Sequence, residues 1–174
     1  MNINRKTFLK TVGGALFGTG LYLKTPLHVA ARSESELKLG LASYTLRKFT
    51  LDQVITFCNT LGISDLALKS MHLPLDSSPQ DIMKAAGEVR SAGINLYGAG
   101  VVYMKSPEEV TNAFTYAQKA GMKVIIGVPN HDLLPLVEEK VKATNIKLAI
   151  HNHGPGDELY RTPDVAYELV KDMD

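Results

Sequence analysis

The sequence predicts an α/β fold of successive parallel βα units, and three regularities support that expectation. Short apolar strands alternate with amphipathic helices from Leu37 onward, the helix starts share one chemistry, and the helix ends share another. Strands are expected at 38–43, 65–69, 95–99, 123–127 and 147–151, with helices at about 51–61, 79–92, 107–120, 132–144 and 163–172. Ser78-Pro79, Ser106-Pro107 and Thr162-Pro163 each place a hydroxyl at the N-cap and a proline at the first helical position, where its missing N–H costs nothing. Thr50 with Gln53, and Ser106 with Glu109, have the spacing of a capping box. At the other end Gly62, Gly93 and Gly121, each followed by an apolar residue, mark left-handed helix stops, and Asn145 takes that place before Ile146. Successive stops lie 31, 28 and 24 residues apart, the length of one strand plus one helix. Such alternation implies parallel strands covered by helices.

Five units fit two architectures. One is a free-standing five-stranded sheet of flavodoxin type, with helices on both faces. The other is part of an eight-unit TIM-type barrel, which needs about 250 residues. With 174 residues, ending at Asp172-Met173-Asp174 where the fifth helix ends, the chain is expected to hold about five of eight units and to be truncated after the fifth.

The first 31 residues read as an export signal. Asn4-Arg5-Lys6-Thr7-Phe8-Leu9-Lys10 is a basic region, Val12 to Tyr22 is an uncharged apolar core, and Val29-Ala30-Ala31 offers small residues for cleavage. The order Arg-Lys-x-Phe-Leu-Lys resembles a twin-arginine signal with Lys6 in the second arginine's place, so the route is twin-arginine or general secretion. The expectation is an exported, periplasmic protein, with residues 32–174 as its folded part. Val12 to Leu23 is too short for a membrane span.

Charge and cysteine content exclude further classes. Removing Arg5, Lys6, Lys10 and Lys24 leaves 15 of the 19 basic residues against 18 acidic ones, a net of −3. Without a basic patch, nucleic acid is not an expected partner, which also weighs against a nuclease. Cys58 is the single cysteine, so no intramolecular disulfide is possible. It falls on one helical face with Leu51, Val54, Ile55 and Leu61 and reads as buried packing.

Ligands of parallel α/β folds bind beyond the carboxyl ends of the strands. Those positions carry Ser43-Tyr44, Lys69-Ser70-Met71-His72, Gly98-Ala99-Gly100, Pro129-Asn130-His131 and His151-Asn152-His153. Four of the five histidines gather there. On an extended strand His151 and His153 share a face, so together they can hold a divalent metal or a polar substrate, or simply fix the Gly-Pro loop that follows. His131 reads as the start of the fourth helix. Tyr44 is either packing or a substrate wall. Tyr97, Tyr103, Phe114 and Tyr116 read as packing. Gly98-Ala99-Gly100 continues Val-Val-Tyr, so the dinucleotide fingerprint fails; a P-loop and a G-x-S-x-G elbow are also missing.

Gly40-Leu-Ala-Ser-Tyr-Thr-Leu-Arg47, Lys69-Ser-Met-His-Leu-Pro-Leu75, and His151-Asn-His-Gly-Pro with Leu159-Tyr-x-Thr-Pro163 resemble the sugar phosphate isomerase/epimerase family of xylose-isomerase-like barrels. The resemblance implies a metal-dependent sugar isomerase or epimerase, or a related lyase, that moves a proton next to a carbonyl. It implies a divalent ion (Mn, Mg, Zn or Co) at the barrel mouth, with His151 where the family more usually has a glutamate ligand. It places Lys69, His72, Asn152 and His153 at the substrate, and puts the other ligands and the acid/base residues beyond residue 174. A non-phosphorylated carbohydrate is the expected partner, with self-association as a further possibility. The competing expectations are a noncatalytic truncated barrel and a small five-stranded sugar-binding domain.

Overall fold

Sheet order separates the two architectures. A computed structural model describes residues 38–173. The expected signal and the boundary at residue 32 lie outside the described residues. The sheet has five strands, β1 (Gly40–Ala42), β2 (Asp65–Leu68), β3 (Asn95–Met104), β4 (Val124–Pro129) and β5 (Lys147–Ile150). All neighbours pair in parallel, and their order across the sheet is the order in the chain. A flavodoxin-type sheet starts in the middle and reverses, whereas a barrel adds strands in one direction. The order is that of a barrel.

Helices α1 (Leu51–Leu61), α2 (Pro79–Ser91), α3 (Pro107–Lys119), α4 (Leu134–Thr144) and α5 (Pro163–Val170) follow the five strands in turn. Their ends obey the expected chemistry. Thr50 forms a reciprocal capping box with Gln53, and Ser78, Ser106 and Thr162 each accept an N–H from the third helical residue. Glu109 departs from the expected box, because its carboxylate accepts from the Lys105 N–H rather than that of Ser106. Gly62, Gly93, Gly121 and Asn145 all adopt the left-handed conformation. The fourth helix is shorter than expected, its first turn being a 3-10 turn over His131–Leu133.

The apolar core lies between the sheet and its helices. Leu66 and Leu68 from β2, Ile125 from β4, and Val89, Phe114 and Ala117 from the helices are essentially inaccessible to solvent. Cys58 and Val54 join them as expected, and burial raises the thiol's pKa, which keeps it unreactive. Leu61, expected on that buried face, is instead 67% exposed. Phe114 and Tyr116 are buried as expected, with the Tyr116 hydroxyl donating to the Leu73 carbonyl.

β3 runs five residues past its expected end. Gly98 and Gly100 look like a strand terminus in sequence, but they allow close approach to β4 where the pairing register shifts. A Cβ on Gly98 would sit 2.7 Å from the Val124 carbonyl oxygen, which is backbone and cannot step aside. The extension carries Tyr103 out to the carboxyl edge of the sheet. Gly98→Ala is expected to destabilise the fold by about 1–3 kcal/mol, read as a lower urea midpoint with an unchanged slope.

Candidate functional site at the carboxyl edge of the sheet

The loop after β1 is fixed by a buried hydroxyl. Ser43 is 0% exposed, and its Oγ accepts the Lys69 N–H at 2.9 Å. His72 Nδ1 lies 2.9 Å from the same oxygen, and His72 Nε2 lies 3.2 and 3.1 Å from the carbonyl oxygens of Leu46 and Phe49. Carbonyls only accept, so Nε2 carries the proton and the Ser43 hydroxyl donates to Nδ1. Both ring nitrogens of His72 are thereby engaged within the protein. It was expected at the substrate, but the structure shows it bracing the loop after β1 and, through Ser43, the Lys69 backbone.

The loop after β5 is tied down by Asp157. One carboxylate oxygen accepts from the N–H groups of Leu159 and Tyr160 at 2.8 and 3.0 Å, and the other accepts from His153 Nδ1 at 3.0 Å. The backbone bonds from Tyr160 and Leu159, with a smaller share from His153, hold this carboxyl below the usual range against the opposing effect of burial. Tyr160 is fully buried and donates to the Pro129 carbonyl at 2.7 Å. Burial, with Asp157 adding to it, pushes this phenol up to about 12. His131 opens the 3-10 turn before α4 and donates from Nε2 to the Leu159 carbonyl at 2.9 Å, which completes the anchorage.

Asp157 also decides the tautomer of His153. An ionised carboxylate accepts from Nδ1–H, so Nε2 presents its lone pair, and the Tyr103 hydroxyl lies 3.2 Å from it. The two rings are stacked at 6.0 Å. Tyr103 was expected to be packing; it is 51% exposed and hydrogen-bonded into the site, because the longer β3 delivers it there.

His151 packs edge to face on His153, with ring centroids 4.3 Å apart. Its pKa is lowered by burial first, then by the nearby His153 and Lys69, while Asp157 opposes the shift. Its imidazole is therefore neutral at pH 7, and it makes no hydrogen bond to any described residue. Lys69 stands half-buried with its ammonium 5.5 Å from the Tyr44 ring centroid, and burial lowers its pKa. Asn152 is half-buried between the two histidines in the chain. Lys69, His151, His153, Asp157 and Tyr103 are thus drawn into one neighbourhood, while His72 braces it from behind. Sequence reading missed Asp157 and Tyr103. The Gly154-Pro155-Gly156-Asp157 loop held the one available signal, since an aspartate there can accept backbone N–H groups two and three residues on.

These donors do not fit a divalent ion on their own. Among the described residues no three His, Cys, Asp or Glu side chains lie close enough to share a metal. His153 has both nitrogens engaged, so His151 is the one imidazole of the pair with a lone pair to give. Structural and catalytic zinc sites use at least three protein ligands.

The cavities divide in the same sense. A concavity of about 540 Å³ lies on the helix side of β5 between α4 and α5, lined by Val137, Val141, Leu148 and Tyr167 among others. It holds none of the clustered groups. A smaller one of about 280 Å³, bordered by Ser70, Ala99 and Tyr103, adjoins the carboxyl edge.

No protein-family model matches the sequence, and no curated protein matches it. Solved structures do match. An uncharacterised protein from Parabacteroides distasonis ATCC 8503 superposes with a TM-score of 0.68 at 22% identity, over 79% of this chain and 59% of that one. A xylose isomerase domain containing protein from Salmonella typhimurium LT2 gives 0.59 at 13% identity, over 78% and 56%. A xylose isomerase-like TIM barrel/4-hydroxyphenylpyruvate dioxygenase fusion protein gives 0.63 at 13% identity, over 79% and 25%. This likeness establishes the fold, a parallel α/β sheet of the xylose isomerase-like TIM-barrel type. The chain spans under two thirds of the length of each of these structures.

Two outcomes are expected. A depressed His151 pKa means that the unfolded chain binds more protons just below pH 6.5, so stability is present above that pH and falls as pH drops toward the folded-state value. The urea midpoint should decline between pH 7.5 and 5, and His151→Gln should flatten part of that decline. Separately, after loading with Mn²⁺ or Zn²⁺ and exchange into metal-free buffer, the 174-residue chain should retain well under one ion.

Proposed function

We propose that this chain carries part of the substrate-binding rim of a sugar isomerase or epimerase, or of a related lyase, that transfers a proton next to a carbonyl. The supporting observation is the convergence of a neutral His151 with the Tyr103–His153–Asp157 chain at the carboxyl edge, where this fold binds its ligands. His151 has an unengaged lone pair and is suited to accept a carbon-bound proton and return it to the neighbouring carbon on the same face; inversion at one carbon would need a second acid on the other face. Because the Tyr103 hydroxyl gives its proton to His153 Nε2, its oxygen is left to accept from a sugar hydroxyl. Asp157 keeps His153 in the tautomer that makes this possible. Lys69, His153 and Asn152 are the proposed substrate-binding groups.

The resemblance also calls for a divalent metal, with His151 as a ligand. Further donors would have to join His151 for that, so the proton transfer is derived from the protein groups alone. Export to the periplasm belongs to the same reading and rests on the composition of residues 1–31.

Incubation with aldoses and ketoses in D₂O tests the proposal. Deuterium should enter the carbon next to the carbonyl, and His151→Gln should slow that exchange about 100-fold or more. Exchange at the buffer rate with every sugar, or an unchanged rate in His151→Gln, would refute it.

A further inference from the structure

The positive charges of the rim lack counter-charges. Lys69 is half-buried, and its ammonium lies 5.5 Å from the Tyr44 ring centroid; the Arg47 guanidinium lies 5.0 Å from the same centroid. The carboxylate contacts of Lys and Arg side chains among the described residues are Lys84–Glu88, Lys142–Glu138 and Lys171–Glu168, so neither Lys69 nor Arg47 has a carboxylate partner there. Asp157 is the acidic group that faces this neighbourhood, and both its oxygens are already engaged by Leu159, Tyr160 and His153. A cation partly withdrawn from water is costly unless an opposite charge meets it. Tyr44 offers only the weaker attraction of its ring face.

We propose that Lys69, backed by Tyr44 and Arg47, receives a carboxylate carried by the substrate, which makes the substrate a sugar acid such as a uronate or aldonate. This rests on the carbohydrate reading above. The same oxyanion chemistry could come from a phosphate, but phosphates are typically cradled by free helix N-termini. Here α1, α2, α3 and α5 carry Asp52, Asp81, Glu108 with Glu109, and Asp164 in their first turns, and Asp132 precedes α4. Those carboxylates already complement the helix dipoles and repel a second anion. A single carboxylate matches what the rim offers.

Calorimetric titration of the full chain with D-glucuronate, D-galacturonate, D-gluconate, D-glucose and D-glucose 6-phosphate tests the inference. At least one carboxylate should bind about tenfold or more tightly than D-glucose, and D-glucose 6-phosphate should show no such gain. Lys69→Met should remove that preference, weakening the carboxylate far more than D-glucose, and Lys69→Arg should keep most of it. If Lys69→Met does not fold by circular dichroism, Arg47→Gln serves, with a smaller loss of the same sign. Equal affinity for glucuronate and glucose overturns the inference while leaving the carbohydrate reading intact. Tightest binding of the phosphate overturns the carboxylate assignment. No binding of any sugar overturns both.

Discussion

Parallel pairing in chain order is the constraint on which the rest of this structure depends. Each strand runs in the same direction, so every carboxyl end opens at one edge, and residues as distant in sequence as Ser43, Lys69, Tyr103 and His153 become neighbours. The connecting helices cover one face of the sheet and bury the apolar side chains that stabilise it. That leaves the strand ends free of packing duty, and it is there that polar groups gather. Where β3 and β4 approach closely the ladder requires glycine, which ties the position of Tyr103 directly to the packing of the sheet.

The four described histidines divide according to what their ring nitrogens already do. His72 and His131 are consumed by the fold, the first bridging Ser43 to the loop after β1 and the second holding the carbonyl of Leu159. His153 is oriented, with Asp157 on one nitrogen and Tyr103 on the other. His151 is the one whose ring nitrogens make no hydrogen bond to a described residue, though its backbone N–H donates to the Gly127 carbonyl. Burial first, then the neighbouring His153 and Lys69, lower its pKa. A neutral imidazole is suited to accepting a proton, and the asymmetry between His151 and His153 comes from Asp157 and Tyr103, which engage the two ring nitrogens of His153.

Charge distribution carries the argument from chemistry to ligand. Among the described residues Lys69 and Arg47 have no carboxylate partner, and Lys69 is in addition half-buried, which is the basis for proposing an anion at that edge. The acidic first turns of the helices narrow the choice, since they stabilise their own helices and thereby close the sites that would otherwise attract phosphate. The groove beside β5 holds none of the groups clustered at the carboxyl edge.

Much of the fold was legible in the sequence because its signals are local. Hydroxyl-proline pairs, left-handed stops and strand-length apolar runs act over a few residues, and the helix starts at Leu51, Pro79, Pro107 and Pro163 fall where they predict. The end of β3 was not legible, because a glycine that ends a strand and one that admits a neighbouring strand look alike until the neighbour is present. Sequence also placed His151 and His153 together, and their rings do meet, although β5 ends at Ile150 and both lie in the loop beyond it rather than on the strand. It could not say that His72 braces the loop, that Tyr103 reaches His153, or that Asp157 sets the tautomer. Those facts depend on contacts across 29 and 50 residues of chain, and on a loop whose path is set by a buried tyrosine. Local chemistry determined which elements form and where the candidate groups cluster; tertiary packing decided which of those groups keep a free lone pair or an unpaired charge.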